Sequence, residues 1–194
     1  MLDCDTFSQL YPLKDSPFQV RRMENKHIGD VVLSTDAIAS GVSRIATEIN
    51  KDFNEAVIIT VVPGGTLFTA DLVRQLRFDV EMDYISCPHT PGDRNNQSDI
   101  VYHHNIAINN KPVIIIDDAI ESGGTMKRLV EHIAQHYSPA SISVAVLFVK
   151  PGRVTIPVKQ YYALEMENDD LLIGYGMPWK GKYRNLPFVA RLNK

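Results

Sequence analysis

The sequence predicts an α/β fold in which a mainly parallel central sheet is flanked by helices. Two segments carry this prediction. Residues 56–62 form a nearly unbroken β-branched run that meets Pro63, Gly64 and Gly65 before a helical pattern begins. Residues 113–116 repeat the arrangement, with a glycine-containing turn and another helical pattern after them. An apolar strand followed by a glycine turn and a helix is typical of parallel strands that are buried on both faces.

Three helices are indicated by apolar residues at helical spacing. The first spans Thr35 to Phe53, with Ser34, Thr35 or Asp36 as its N-cap. A third strand, Ser141 to Val149, completes a βαβ unit, so ligands are expected at the carboxyl ends of the strands. The apolar positions of the three helices are Ile38, Val42, Ile45 and Ile49; Phe68, Leu72 and Leu76; and Met126, Leu129, Val130 and Ile133.

Composition favours one globular domain and excludes several classes of protein. The 194 residues are 44% hydrophobic and 22% charged, with 23 acids, 20 bases and a net charge of -3. That balance argues against a surface built to hold nucleic acid. The sequence has no apolar run near the roughly 18 residues of a membrane span and no secretory signal at its start. Two cysteines without disulfide or zinc spacing favour a reducing, cytoplasmic location.

Polar segments between these elements suggest one mobile loop and no metal-binding histidine site. Residues 87–99 are rich in Pro, Gly, Asn and Asp, a composition that predicts a lid or binding loop. His132 and His136 have i, i+4 spacing but lack the HExxH arrangement, and His103 and His104 are adjacent. We therefore expect solvated histidines.

The strongest chemical signal is IIIDDAIESGGTM, residues 114–126. Asp117 and Asp118 stand where a strand ends, and a Ser-Gly-Gly-Thr turn opens the next helix. The backbone N–H groups of such a turn, with the helix dipole behind them, can bind phosphate. Carboxylates accept hydrogen bonds from sugar hydroxyls or bind Mg²⁺, so the pattern points to a sugar phosphate with a metal. The alternative is that the two acids only cap the helix.

These motifs resemble those of the type I phosphoribosyltransferases, and most of all the hypoxanthine-guanine phosphoribosyltransferases. The segment IIIDDAIESGGT is similar to the family's loop for the 5-phosphate of phosphoribosyl pyrophosphate (PRPP). VVPGGTLFTADLVRQL, residues 61–76, resembles the pyrophosphate loop and its helix. Lys150 resembles the lysine that contacts the purine 6-oxo group, and residues 171–189 resemble the stretch that covers the base. Four motifs in the family's order are more specific than one.

The resemblance implies a role for each matching residue. Glu121 would be the catalytic base, and Asp117 and Asp118 would hold the ribose hydroxyls and the metal, Mg²⁺. The PRPP site as a whole would comprise Asp117, Asp118, Glu121, Ser122, Gly123, Gly124 and Thr125. Pyrophosphate would contact Pro63, Gly64, Gly65 and Arg184, and the purine would contact Lys150, Leu171 and Leu172.

The resemblance also implies an architecture and a reaction. We expect one phosphoribosyltransferase domain over residues 1–194, with a small hood formed by about 1–30 and 165–194, in a homodimer or homotetramer. The partners would be PRPP and a purine base, with no nucleic acid and no membrane. The reaction would be purine salvage: ribose 5-phosphate passes from PRPP to a 6-oxopurine, hypoxanthine or possibly guanine or xanthine, and pyrophosphate is released.

Four positions depart from the family pattern. Glu121 replaces the usual Asp and is one methylene longer, which changes its reach toward the purine. Pro63 stands where a lysine is common, and because the family often has a cis peptide there, we predict a cis Val62–Pro63 bond. Pro178 replaces an Asp that helps to hold a second Mg²⁺. His89 and Thr90 stand where a Ser-Tyr pair closes over the centre.

Two alternatives follow from these departures. The chain could be a PRPP-binding regulator that retains the phosphate loop without turnover, or a phosphoribosyltransferase for a different base. The second is motivated by Leu171, which stands where an aromatic residue usually stacks on the purine, although Trp179 or Tyr175 could take that place. The retained Lys150, Glu121 and Arg184 favour the salvage enzyme over the regulator.

Overall fold

The unbroken apolar runs of the sequence lie in the middle of a six-stranded sheet. The structure, a computed structural model, describes residues 26–88 and 97–193. In chain order its elements are β1 (Ile28–Leu33), α1 (Thr35–Asp52), β2 (Glu55–Val62), α2 (Thr66–Val73), β3 (Asp79–Ser86), β4 (Val101–Tyr102), β5 (Pro112–Ile120), α3 (Gly124–His136), β6 (Ser141–Val149), β7 (Lys159–Glu165), β8 (Leu172–Ile173) and β9 (Val189–Leu192).

The central sheet has the strand order β4-β3-β2-β5-β6-β7. Strands β3, β2, β5, β6 and β7 are parallel to their neighbours, and only the two-residue β4 is antiparallel. The three predicted strands are β2, β5 and β6, at the centre, where both faces are buried. The predicted α/β fold with a mainly parallel sheet is therefore confirmed. The carboxyl ends of the parallel neighbours β2 and β5 bring residue 63 and residues 117–121 to the same edge of the sheet.

Helices cover both faces of this sheet. Ile38, Val42 and Ile45 of α1 and Phe68 and Leu72 of α2 pack on one face. On the other face lie the apolar residues of α3. The Ser34 hydroxyl caps α1 by accepting from the Ala37 N–H at 3.2 Å, as predicted. Helix α2 ends at Val73, so the prediction that its pattern continues to Leu76 is wrong.

A second, three-stranded antiparallel sheet, β1-β9-β8, lies beside the central one. Its inward side chains, Leu33, Leu172 and Val189, join the same hydrophobic core as α1 and α2. The predicted hood included residues 1–25, which lie outside the described part of the chain, so its boundaries stay a prediction. Among the helices that the structure describes, none has the length and apolar character needed to cross a membrane.

Asp83 is a buried carboxylate that the sequence analysis did not single out. It lies on β3 and is 5% exposed. One oxygen accepts from the N–H groups of Asn105 and Ile106 at 2.9 and 3.1 Å, and the other accepts from the Asn105 amide and the Tyr84 N–H. Burial alone would raise the pKa of Asp83, but these hydrogen bonds outweigh it and lower the pKa. The carboxylate therefore anchors the chain that follows β4.

Replacing Asp83 with alanine is expected to lower the free energy of unfolding by about 3 kcal/mol at pH 7, because several buried donors lose their acceptor. Since the folded-state pKa is lowered, the stabilisation is present above the ordinary pKa and disappears as the pH falls through the folded value. Urea unfolding at pH 7 and below pH 4 would measure both effects. Asp79→Ala, at an exposed position of the same strand, is the control, and an equal loss in both variants would contradict the anchoring role.

Candidate active site

Asp117 and Asp118 lie inside β5 rather than after it. The strand continues to Ile120 because Asp117, Ala119 and Ile120 pair with residues of β6. Both aspartates are half-buried. The expectation that they stand at the end of the strand is therefore wrong, because the strand continues past Asp118 to Ile120. The extension carries Glu121 directly to the start of the turn that follows.

Both carboxylates of this acid pair resist ionisation, chiefly because they are buried. Burial and the Asp118 charge raise the pKa of Asp117 well above its ordinary value. Burial raises the pKa of Asp118 to about 6, although the Arg184 guanidinium acts in the opposite direction on both groups. A site that resists two negative charges gains most from a cation or from several hydrogen-bond donors. Sugar hydroxyls and a divalent ion are ligands of that kind.

The turn after β5 begins α3 without a side-chain cap. Its N-cap residue is Gly123, at φ +81°, and the helix starts at Gly124. Neither aspartate bonds to the first turn of the helix, so the alternative that Asp117 and Asp118 serve as caps is wrong. The N–H groups of a first helical turn have no intrahelical acceptor. In α3 this first turn lies at the same edge of the sheet as the acid pair. The Ser122 carbonyl accepts from the Val154 N–H at 2.8 Å, which holds the turn in place.

The turn after β2 packs directly against the acid pair. The Val62–Pro63 bond is cis, as predicted. A Cβ atom on Gly64 would lie 2.9 Å from Asp118 Oδ2, so a larger residue there would require the carboxylate to shift. The Gly65 N–H donates to the Val61 carbonyl at 2.9 Å and is occupied within the turn. A contact with pyrophosphate through backbone N–H groups, as the resemblance implies, would therefore involve Gly64.

The second sheet supplies the opposite wall of this region. Gly176, at φ +104°, lies so close to the turn after β2 that a Cβ atom would be 2.2 Å from the Gly64 carbonyl oxygen. The Arg184 side chain donates to the Gly176 carbonyl, and the Gly176 N–H donates to the Arg184 carbonyl at 2.9 Å. Arg184, the one hood cation assigned to pyrophosphate, thus stands beside the turn and the acid pair.

Lys150 and Glu121, two residues expected to serve the base, form an ion pair. Lys150 is 1% exposed, at the end of β6. Its Nζ donates to Glu121 Oε1 at 2.6 Å and to the Asp170 carbonyl at 2.7 Å. The Asp169 carboxylate lies 3.7 Å away. The extra methylene of glutamate, compared with the family's aspartate, contributes to the reach of this pair across the turn.

A cavity of about 250 Å³ opens between these elements. It contains most of the predicted site residues: Pro63, Gly64, Asp117, Asp118, Glu121, Ser122, Gly123, Thr125, Leu172 and Arg184. Gly65, Gly124, Lys150 and Leu171 lie outside its lining. Lys150 does not line the cavity itself, but it bonds to Glu121, which does. Trp179 and Tyr175, considered as stacking residues, do not line it either, and the Tyr175 hydroxyl contacts Asp71 instead.

The structure adds Cys87 and Met177 to the cavity lining, two residues that sequence reasoning did not assign to the site. Cys87 follows β3 and is buried, with its Sγ 3.8 Å from Arg128 Nη1. Met177 and Pro178 come from the second sheet's turn, and Pro178 occupies cavity wall where an acid is usual in the family. Spacing alone did not mark Cys87, because β3 was not predicted. His89 and Thr90 lie outside the described residues. Within the described ranges, no group of three or more His, Cys, Asp or Glu side chains is arranged to bind a metal.

Comparison with known proteins agrees with this geometry. Residues 30–180 match the phosphoribosyl transferase domain family. The chain belongs to this family. The prediction made from the acid pair and the phosphate turn is thereby confirmed at the level of the family. As a phosphoribosyltransferase the chain is an enzyme of the pentosyltransferase class, and its central sheet is that of the type I fold.

Relatives of this phosphoribosyltransferase carry a more specific name. It is 27% identical to a hypoxanthine-guanine phosphoribosyltransferase of Staphylococcus epidermidis over 87% of this chain and 96% of that protein. A solved hypoxanthine-guanine phosphoribosyltransferase of Bacillus anthracis is 32% identical, with a TM-score of 0.74 over 87% of this chain and 99% of the other. A hypoxanthine phosphoribosyltransferase of Trypanosoma cruzi, solved with the product IMP, is 26% identical, with a TM-score of 0.76 over 89% and 93%.

Proposed function

We propose that this phosphoribosyltransferase transfers ribose 5-phosphate from PRPP to a 6-oxopurine and releases pyrophosphate. One observation carries the proposal: the acid pair, the 121–125 turn, the Gly64 turn and Arg184 all line a single cavity. That cavity combines anion-binding backbone with carboxylates, as a charged sugar phosphate requires. The relatives named for hypoxanthine and guanine favour a 6-oxopurine as the acceptor.

In this reaction each wall of the cavity has its own task. Asp117 and Asp118 would accept hydrogen bonds from the ribose hydroxyls, and the turn from Glu121 to Thr125 would bind the 5-phosphate. Gly64 and Arg184 would hold the departing pyrophosphate, so that charge developing on it meets fixed donors. Two carboxylates beside a phosphate site fit Mg²⁺, and Asp117 and Asp118 would hold it. When bound, the ion supplies charge neutralisation to the leaving group.

The Lys150–Glu121 pair would serve the base. Glu121 would take a proton from the purine ring nitrogen, and Lys150 would donate to the 6-oxo group. Because the two groups bond to each other at 2.6 Å in the free protein, the base would have to replace that bond with one to each partner. A 6-oxopurine offers both an acceptor oxygen and a ring nitrogen. Adenine has an amino group at that position, which cannot accept from Lys150.

The proposal is tested with Glu121→Gln. The amide keeps the size and the hydrogen-bonding oxygen but cannot take the proton, so kcat with hypoxanthine is expected to fall about a hundredfold or more, while PRPP binding changes little. Pyrophosphate release and calorimetric PRPP binding would be measured side by side. Loss of both in equal measure would contradict the role of Glu121 as base.

The same pair of measurements separates the salvage enzyme from the regulator. Pro178 in the cavity wall favours the regulator, because it removes a carboxylate that the family uses. A wild-type protein that binds PRPP without turnover on any purine would establish the regulator. Turnover on a base other than a 6-oxopurine would establish the remaining alternative, a phosphoribosyltransferase for a different base.

We also propose a cytoplasmic location and a homodimer or homotetramer. The sequence has two cysteines without disulfide spacing, which is consistent with a reducing compartment. A related hypoxanthine phosphoribosyltransferase from Trypanosoma cruzi, 25% identical, has been solved to study the role of its C-terminal region in oligomeric state and activity. Sedimentation of the purified protein would give the number of subunits, and a monomer at assay concentration would contradict the oligomer.

A further inference from the structure

A side-chain hydrogen bond connects the second sheet to the helix that follows the Gly64 turn. The Tyr175 hydroxyl donates to Asp71 Oδ2 at 2.6 Å, across 104 residues of sequence. Tyr175 is 6% exposed and the Asp71 side chain 38% exposed, so the contact is shielded from water on the tyrosine side. Burial and the Asp71 charge raise the pKa of Tyr175, which keeps its hydroxyl protonated and able to donate. The other Asp71 oxygen accepts from Arg74, so both oxygens of the carboxylate are used.

The backbone around Tyr175 has a conformation that side chains rarely adopt. Gly174, Tyr175 and Gly176 have φ values of +101°, +47° and +104° in succession. A residue other than glycine persists in this region only where its surroundings hold it there. For Tyr175 those surroundings are the hydroxyl contact with Asp71 and a backbone bond from its N–H to the Leu186 carbonyl at 2.9 Å.

The position of Tyr175 determines where two proposed pyrophosphate contacts lie. The next residue, Gly176, packs on the Gly64 carbonyl and accepts from the Arg184 side chain. Asp71 belongs to α2, which begins at Thr66, immediately after the Gly64 turn. The hydroxyl contact therefore fastens the 174–177 turn to the same helix that carries the opposing turn. A shift of Tyr175 would move Gly176 and Arg184 away from Gly64.

The base-binding side of the cavity is fixed by other means. Strand β8 is held by pairing of Leu172 with Arg191 and of Ile173 with Ala190. These ladder bonds do not involve Tyr175. Loss of the tyrosine hydroxyl should therefore disturb the pyrophosphate side of the cavity while the residues around Leu172 keep their place.

We propose that the Tyr175–Asp71 hydrogen bond is a positioning device that aligns Gly176 and Arg184 with the Gly64 turn for PRPP. The inference rests on the proposed function, since it assigns that function two further residues. Neither residue lines the cavity, so both act through the groups next to them. Asp71 and Tyr175 are thus positioning residues and not catalytic ones.

The test measures KM for PRPP, KM for hypoxanthine and the melting temperature in the full chain. Tyr175→Phe is expected to raise KM for PRPP about tenfold, since a displacement of a fraction of an ångström weakens several contacts together, while KM for hypoxanthine stays within about twofold. Asp71→Ala should change the two KM values in the same way as Tyr175→Phe. Asp71→Asn should recover most of the loss, because the amide oxygen still accepts from the hydroxyl.

Tyr161→Phe is the matched control. The Tyr161 hydroxyl is 2.8 Å from Asp52 Oδ2, in a contact of the same chemistry, and Tyr161 is 1% exposed on β7, away from the cavity. Its KM values should not move. An active wild type in which Tyr175→Phe behaves like Tyr161→Phe, or in which both KM values rise together, would overturn the inference alone. A wild type that neither binds PRPP nor turns over would overturn the proposed function and the inference with it.

Discussion

Lys150→Met is expected to raise KM for the purine about a hundredfold and to leave KM for PRPP within about threefold. Methionine keeps most of the side-chain volume but removes the donor that the 6-oxo group would need. Lys150 is 1% exposed, and its ammonium contacts Glu121, the Asp170 carbonyl and the Asp169 carboxylate, the groups that we assign to the base end of the cavity. Steady-state kinetics with each substrate varied in turn would measure the two KM values.

The stability of Lys150→Met has its own expectation. We expect the free energy of unfolding to fall by about 1–2 kcal/mol, because the Asp170 carbonyl loses its donor. Glu121 is one-third exposed and can bond to water instead. Lys159→Met is the control, since Lys159 forms an ion pair of 2.8 Å with Asp52 on an exposed face. It should alter neither KM. A rise of both KM values by the same factor in Lys150→Met would contradict its assignment to the base.

Gly176→Ala is expected to lower kcat/KM for PRPP about a hundredfold. The new Cβ atom would lie 2.2 Å from a backbone oxygen, that of Gly64, and backbone cannot rotate away as a flexible side chain can. Relieving the contact requires the two turns to separate by about 1 Å, a displacement that typically costs two orders of magnitude in rate. PRPP saturation curves at fixed purine would measure the loss.

Gly181→Ala separates this steric effect from backbone strain. Gly181 lies in the same segment at φ +76°, but a Cβ atom there would meet nothing within 4 Å. Both variants should lose about 1–2 kcal/mol of stability from the unfavourable φ. Only Gly176→Ala should lose activity as well. Equal activity losses in the two variants would show that contact between the turns does not matter.

The elements predicted from sequence are those whose local signal agrees with their burial. Strand β6 was predicted with its observed bounds, Ser141–Val149, because its sequence SISVAVLFV is short and rich in β-branched residues. Strand β3 was missed although its sequence DVEMDYIS alternates polar and apolar residues, and the alternation would in any case have suggested the wrong buried face, because Met82 and Tyr84 are exposed while Asp83 is buried. Three of the four hydrogen bonds to Asp83 come from Asn105 and Ile106, more than 20 residues along the chain, which no local pattern indicates.

Sequence motifs identified many of the candidate site residues, but they did not predict which of these residues contact each other. The Gly-rich turn and the acid pair were identified because their residue types can bind phosphate and sugar hydroxyls. The pairing of Glu121 with Lys150 joins positions 29 residues apart, and the Tyr175–Asp71 bond spans 104. Long-range partners such as these depend on the fold as a whole. The sequence also could not predict that the Gly65 N–H is already bonded, because only the geometry of the turn shows that it donates to the Val61 carbonyl.

The measurement that tests the central claim most directly is product formation with PRPP and Mg²⁺ and each of hypoxanthine, guanine, xanthine and adenine in turn. Mass detection of the nucleoside monophosphate would be combined with pyrophosphate release, and Glu121→Gln would serve as the inactive control. The account predicts equal amounts of monophosphate and pyrophosphate with at least one 6-oxopurine and none with adenine. Adenine as the best acceptor, or PRPP binding with no product from any base, would contradict it.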